Sequence, residues 1–297
     1  MSAGAPRLTL RAGELELQLE PATGGCIARF DRLGTHGRQP LLRGVSGKLE
    51  NVLQAACFPL VPFANRIRVG HFDCAGRRVR LTPNMAGDAS PLHGQGWLAS
   101  WQAIAVQETR ATLGFRHHAG EWPWDYEATQ CFDLKPDRLE ITLSCRNLSS
   151  EPMPCALGLH PYFPCNANTR LDTTVESVWT VDADVLPVAN VPAQGRYSLQ
   201  RRLICGQGLD NGFDGWNGTA SITWADPPSG LLIRCTDAKR FQVYSPLEGG
   251  VFVAEPVQNA NAALNEPVSA WNRLGIEMLA PSMKRSLTVE FVSVLEV

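Results

Sequence analysis

The sequence predicts an all-β fold, a large antiparallel β-sandwich, on three observations. Apolar and polar residues alternate with period two along most of the chain, and helical periodicity of 3.6 dominates nowhere. Turn-forming residues recur at short intervals, with 26 glycines and 21 prolines among 297 residues. Many short strands broken by frequent turns are the signature of a sandwich or barrel.

The elements follow in order. "ELELQLEP" (residues 14–21) alternates and reads as a strand, and so does "DRLEITLSCRNL" (residues 137–148), in which Cys145 takes an apolar position as a small buried hydrophobe would. "ADPPSG" (residues 225–230) separates "SITW" from "LLIRC" as the turn of a hairpin does. "RFQVYSP" (residues 240–246) and "SLTVEFVSVLEV" (residues 286–297) complete the series. With no internal repeat and no stretch of linker composition, one domain spanning residues 1–297 is the economical reading. In a large sandwich, polar side chains on the concave face of one sheet are where a ligand is expected.

Composition narrows the function. Lys plus Arg is 27 against 29 Asp plus Glu, a net charge of -2, so no positive field steers the chain to nucleic acid or anionic lipid. A small neutral ligand fits better. The start "MSAGAPRLTLRAGELELQLEP" lacks the apolar run of a leader, and nowhere do about 18 apolar residues follow one another, so the expectation is a soluble cytoplasmic protein without a membrane partner. Cys26, Cys57, Cys74, Cys131, Cys145, Cys155, Cys165, Cys205 and Cys235 form an odd count without a CxxC pair, which reads as reduced structural thiols rather than a disulfide framework or zinc site. The usual nucleotide, zinc-protease and serine-hydrolase motifs are missing from the sequence.

Four stretches could carry chemistry. "VPFANRIRVGHF" sets Asn65 and Arg66 among apolar residues, and "SPLHGQGW" puts His93 beside glycines and a tryptophan. "LGLHPYFP" holds His160, which Pro161 biases away from helix. "GVFVAEPVQNANAALN" ends an apolar strand on Glu255, a costly place for a carboxylate without a partner or a task. Each has a bland counterpart: a structural loop histidine, a carboxylate facing water, an arginine ion pair for Arg66, a turn for Asn65. The pair His117 and His118 would point to opposite faces of a strand, which argues against a metal site there. "RRVR" (residues 77–80) reads as a solvated strand face, and Trp122 and Trp124 either stack on a sugar or pack a loop.

Taken together and in this order, "NRIRVGHF", "LHGQGW", "GLHPYFP", "LDNGFDGW" and "AEPVQNANAALN" resemble the aldose 1-epimerase family, the mutarotases. The resemblance spans roughly residues 65–265 and implies the galactose mutarotase-like supersandwich. By the same resemblance, His160 looks like the family's general acid and Glu255 its general base, with Asn65, Arg66, His93 and Asp210 binding the sugar and Asp214 the fallback for Asp210. It implies no metal and no cofactor, a small-molecule sugar as substrate, and a monomer or homodimer. The better-known galactose mutarotases carry a Gly-Arg pair where this chain reads "PLVPF", so it resembles a divergent branch.

These residue types suit the reaction. Interconverting anomers removes a proton from the C1 hydroxyl and delivers one to the ring oxygen, so one base and one acid are needed on either side of a short O–C–O unit. At ordinary values near 4.3 and 6.5, Glu255 would be ionised at pH 7 and His160 kept protonated by neighbouring carboxylates. Three rivals stand beside this reading. A hexose-6-phosphate mutarotase would need cations at the rim, for which Arg68, Arg77, Arg78, Lys239 and Arg240 are the candidates. A non-catalytic carbohydrate-binding module would need neither acid nor base, and a glycosidase would use Asp210 and Glu255 as paired carboxylates.

Overall fold

In the computed structural model, residues 7–34, 37–45, 47–226 and 228–294 are described. Pro227 of the 225–230 turn, the last three residues of the predicted C-terminal strand and residues 1–6 lie outside the described residues.

Two large antiparallel sheets make up the body. One has eleven strands among the described residues, nine of the other lie against it, and two short two-stranded ladders flank them. The predicted strands are present as Leu15–Glu20, Arg138–Asn147, Arg240–Ser245 and Lys284–Val294, and the 225–230 turn joins Thr219–Ala225 to Pro228–Arg234 as a hairpin. The sheets pack face to face: Phe163 of the first lies 6.4 Å, ring to ring, from Phe291 of the second, inside one continuous buried cluster. Among the described residues, no helix is long and apolar enough to cross a membrane. All nine cysteines are free, and Cys145 is fully buried as its alternating position predicts.

The alternation has a direct consequence. Within Gly158–Pro164, Leu159 and Phe163 belong to the inter-sheet core, which sends His160 and Tyr162 to the opposite face of the eleven-stranded sheet. In Val251–Val257, Phe252 and Ala254 face the core while Val253 joins a second apolar cluster on the far side, the side Glu255 must share. Phe241 and Val243 likewise leave Gln242 and Tyr244 outward-facing.

Candidate active site

Five adjacent strands bring the site together, in the order Cys57–Leu60, Gly158–Pro164, Val251–Val257, Arg240–Ser245 and Leu209–Asp214. Phe58 pairs with His160, Glu255 with Gln242, Gln242 with Gly212, and Tyr244 with Asp210. The pairs Gly158–Val257 and Tyr162–Val253 bracket His160 and bring it opposite Glu255. A row of side chains therefore crosses the sheet at one level. Gly212 leaves that row open on its far side, because a Cβ there would stand 3.0 Å from Gln242 Oε1.

A second wall comes from outside the ladder. Residues 61–67 form no long strand and meet neighbouring segments through isolated bridges such as Arg66–Leu92 and single backbone bonds such as that from the Ala156 amide to the Pro62 carbonyl. Asn65 and His93 hold each other: the Asn65 amide donates to His93 Nδ1 at 3.2 Å, and the His93 amide donates to the Asn65 carbonyl at 3.0 Å. Both have positive φ, 62° and 63°, a conformation that Asn and His tolerate better than most residues. Gly94 completes the turn at φ 69°, where a Cβ would fall 2.1 Å from the Val61 carbonyl oxygen.

The asparagines of "QNANAALN" turn out to be clamps on this wall. Asn259 accepts from the Ala64 amide and donates to the Ala64 carbonyl, Asn261 accepts from the Arg66 amide, and Asn265 accepts from the Arg68 amide. Three side chains thus replace the backbone ladder that residues 64–68 lack. Sequence reasoning singled out this run without finding that role.

The two walls enclose a cavity of about 260 Å³ lined by all six predicted residues, Asn65, Arg66, His93, His160, Asp210 and Glu255. Gln242, Tyr162 and Tyr244 also line it and were missed, although "RFQVYSP" had been read as a strand whose alternation sets Gln242 and Tyr244 on one face. Asp214, the fallback, lies elsewhere: it pairs with Arg240 at 2.8 Å and accepts from Trp179 Nε1 at 2.8 Å. The five cations proposed for a phosphate rim do not line the cavity. Arg77 and Arg78 are ion-paired to Glu151 and Asp73, Arg240 to Asp214, Arg68 donates to the Pro187 carbonyl, and Lys239 is exposed. Trp122 and Trp124 are buried against each other, with Trp122 also packed on Phe63, which makes them packing residues rather than a sugar platform.

Charge in the cavity departs from expectation. Glu255 Oε1 lies 3.4 Å from His160 Nε2, and its Oε2 is buried without a partner among the described residues. Burial, reinforced by Asp210 and opposed by Arg66, pushes the Glu255 carboxyl well above its ordinary range. Burial also pushes the His160 imidazole down to about 3, with Arg43 adding to the effect. The sequence reading of an ionised Glu255 beside a protonated His160 meets an environment of the opposite kind: desolvation disfavours the charged form of both groups. His93 is held well below its usual value by burial, then by His160 and Arg66. Because Nδ1 accepts from Asn65, neutral His93 carries its proton on Nε2 as a donor.

The sugar-binding candidates are also held. Asp88 accepts from Arg66 Nε at 2.8 Å, and Gln242 Nε2 donates to Asp210 Oδ1 at 2.8 Å. Gln242 Oε1 is buried and has no partner among the described residues, an acceptor at the cavity wall. Phe58 stacks on His160 with 4.4 Å between ring centres, fixing the imidazole plane.

Comparison with known proteins agrees with this fold. The family model described as aldose 1-epimerase matches residues 6–272. The uncharacterised protein YphB of Escherichia coli K12 is 35% identical over 88% of this chain and 87% of its own length. Among solved structures, a candidate aldose 1-epimerase of Escherichia coli K12 superposes with a TM-score of 0.88 at 30% identity, covering 98% of this chain and 99% of that one. A galactose mutarotase-like protein of Clostridium acetobutylicum superposes with a TM-score of 0.84 at 18% identity, covering 97% and 94%, and so shares the fold.

Proposed function

The chain belongs to the aldose 1-epimerase family, and from that premise we propose that it is a mutarotase, interconverting the α and β anomers of a free aldose by acid/base ring opening. The observation that carries this reading is the buried His160–Glu255 pair, 3.4 Å apart in the cavity that Asn65, Arg66, His93 and Asp210 also line. An acid and a base that share one proton are what the reaction consumes and regenerates.

The sugar enters with its ring hydroxyls toward Arg66, His93 Nε2–H, Asp210 and Gln242 Oε1, which present donors and acceptors in alternation. Arg66 and the incoming hydroxyls favour the Glu255 carboxylate, so the shared proton passes to His160 Nε2. Glu255 then takes the C1 hydroxyl proton while His160 protonates the ring oxygen, and the C1–O5 bond breaks to give the open aldehyde. Rotation about C1–C2 and return of both protons close the ring as the other anomer. Positioning by fixed side chains supplies the rest of the acceleration.

The absence of Arg68, Arg77, Arg78, Lys239 and Arg240 from the cavity lining counts against a hexose-6-phosphate substrate. A carbohydrate-binding module would have no use for a carboxyl kept buried within a strand against an imidazole. Polarimetry or proton NMR of freshly dissolved α-D-glucose and α-D-galactose tests the reading. Acceleration over the spontaneous rate that disappears in Glu255→Gln supports it; the same rate with and without the protein, for both sugars, overturns it.

A further inference from the structure

A half-buried arginine, Arg43, stands next to the cavity without lining it. Its segment, residues 41–45, runs outside the strands, with the Leu41 and Leu42 amides donating to the Phe30 carbonyl. The Arg43 amide donates to the Tyr162 carbonyl at 2.8 Å, and the guanidinium carbon lies 3.7 Å from the centre of the Tyr162 ring. One terminal nitrogen donates to the carbonyls of Leu53 and Ala55, while Nε is buried without a partner among the described residues. The same residue therefore holds Tyr162 by its backbone and over its ring.

This cation has no carboxylate. Arg66 is paired with Asp88 and Arg240 with Asp214, whereas Arg43 has only the ring and hydroxyl of Tyr162 and two carbonyls among the described residues. A guanidinium half taken out of water without a counter-ion is costly, and a neutral donor would serve the two carbonyls as well. Its charge is felt at His160. The Tyr162 ring lies 4.7 Å from the imidazole, Phe58 lies 4.4 Å from it, and the two rings are 6.2 Å apart, so the imidazole sits in a corner of which Arg43 backs one side. Burial is the larger cause that pushes His160 down to about 3, and Arg43 is the charged one. The titratable groups that face His160 are Glu255 at 3.4 Å, His93 with its ring centre at 5.4 Å, the Tyr162 phenol, and the Cys57 thiol, which meets the His160 backbone. Burial disfavours the charged form of all four, and Arg66 and Asp210 border the cavity beyond them.

We propose that Arg43 is a positioning residue for His160, acting through the ring of Tyr162: from outside the cavity the guanidinium holds that ring against the imidazole and supplies a fixed positive charge behind it. The inference rests on the mutarotase reading and adds a residue to it. A charge in that place favours release of the proton from His160 to the ring oxygen, and the corner keeps the imidazole plane aligned for the transfer.

The test measures Arg43→Met and Arg43→Lys beside the wild type, with Arg43→Gln replacing the first should it not fold. NMR of protein isotope-labelled in its six histidines follows the His160 imidazole, assigned by the signal missing in His160→Gln. Without the charge, the imidazole is expected to bind a proton about tenfold more tightly, the order of one charge acting across a ring, and the acid limb of kcat/KM to move to a proton concentration lower by the same factor. For the aldose that the wild type accelerates, kcat should fall about tenfold with KM within about twofold, since Arg43 does not line the cavity. Arg43→Lys keeps a cation over the ring and should restore the titration and the limb. An unchanged titration in Arg43→Met overturns the proposal, as does a lysine variant that titrates like the methionine one. So does a raised KM with kcat unchanged, which would mean that Arg43 only braces Leu53 at the cavity wall. If no aldose is accelerated, the mutarotase reading falls, and the imidazole titration by itself decides whether Arg43 acts on His160.

Discussion

Glu255 Oε1 and His160 Nε2 face each other at 3.4 Å from adjacent antiparallel strands, both buried, with Asp210 and Arg66 bordering the same cavity. An ion pair would be expected at that distance on a surface. Here the environment disfavours charge on both partners.

Glu255→Gln follows from this directly. The amide cannot accept the C1 hydroxyl proton, so kcat should fall about 10²- to 10⁴-fold, the range of a lost acid/base group. Stability should move the other way. The folded carboxyl titrates above its unfolded value of 4.5, so its contribution is fully present below that pH and is lost as pH rises through the folded value. Glutamine escapes that loss, and the Tm of the variant minus that of the wild type should grow more positive between pH 4.5 and pH 8. A difference independent of pH would show that the carboxyl is not held neutral.

The pH profile tests the histidine. His160 stays neutral down to about 3, so a second proton enters the pair only there. The acid limb of kcat/KM should be centred near pH 3, checked by brief exposure to acid followed by assay, and the alkaline limb should lie above the ordinary carboxyl range, where Glu255 loses its proton. An acid limb between pH 4 and 6 would mean ordinary titration and would sink the shared-proton description.

How much of this could be read in the sequence depends on what each residue's role leaves behind locally. Period-two alternation marks strands because one face is apolar, and the same rule put His160 and Glu255 on the face away from the core. His160 and Glu255 stand out as polar residues in apolar strands, whereas Asn65, Arg66, His93 and Asp210 joined them as a set only through the family resemblance. Gln242 and Asp88 act through partners 32 and 22 positions away along the chain, Asp210 and Arg66, and a contact of that kind has no local pattern. The clamps Asn259, Asn261 and Asn265 were quoted as part of a motif, but their partners in residues 64–68 lie almost two hundred positions upstream. Charge states were misread for a related reason: desolvation is a property of the assembled cavity.

Asp88 should behave as a positioning residue for Arg66. Its carboxylate holds Nε and directs the rest of the guanidinium to the cavity. Removing a charge-assisted hydrogen bond costs about 1.5–3 kcal/mol of orientation, so Asp88→Ala should raise KM roughly tenfold or more with kcat within a few-fold. Asp88→Asn keeps an acceptor and should recover most of the loss. A fall in kcat alone, or no rescue by asparagine, would argue against a positioning role.

Gln242→Leu should separate binding from chemistry as well. The variant removes the donor that orients Asp210 and the unpartnered Oε1 at the wall, leaving Asp210 less well held in a site where burial already raises its carboxyl. Steady-state kinetics should show KM rising about tenfold while the limbs of the kcat profile stay in place, since neither His160 nor Glu255 loses a contact to it in the ligand-free site. Displaced limbs would place Gln242 within the proton-transfer network.

Asn259 joins stability to the site. Its side chain is buried and fully used, accepting from the Ala64 amide at 3.0 Å and donating to the carbonyls of Ala64 and Ala260 at 2.9 Å each. Asn259→Ala leaves a buried N–H and C=O of Ala64 unpaired, at about 1–3 kcal/mol for each group that finds no water. In a chain of this size that lowers Tm by several degrees, at about 2–4 °C per kcal/mol. Because Ala64 directly precedes Asn65 and Arg66, the loss should also appear as a raised KM below the melting transition. Asn261→Ala releases the amide of Arg66 itself, in a less buried place, and should reverse the balance: a smaller fall in Tm and a larger rise in KM. If calorimetry and kinetics rank the two variants in the same order, the clamps serve stability alone and the wall that carries Arg66 is held by other means.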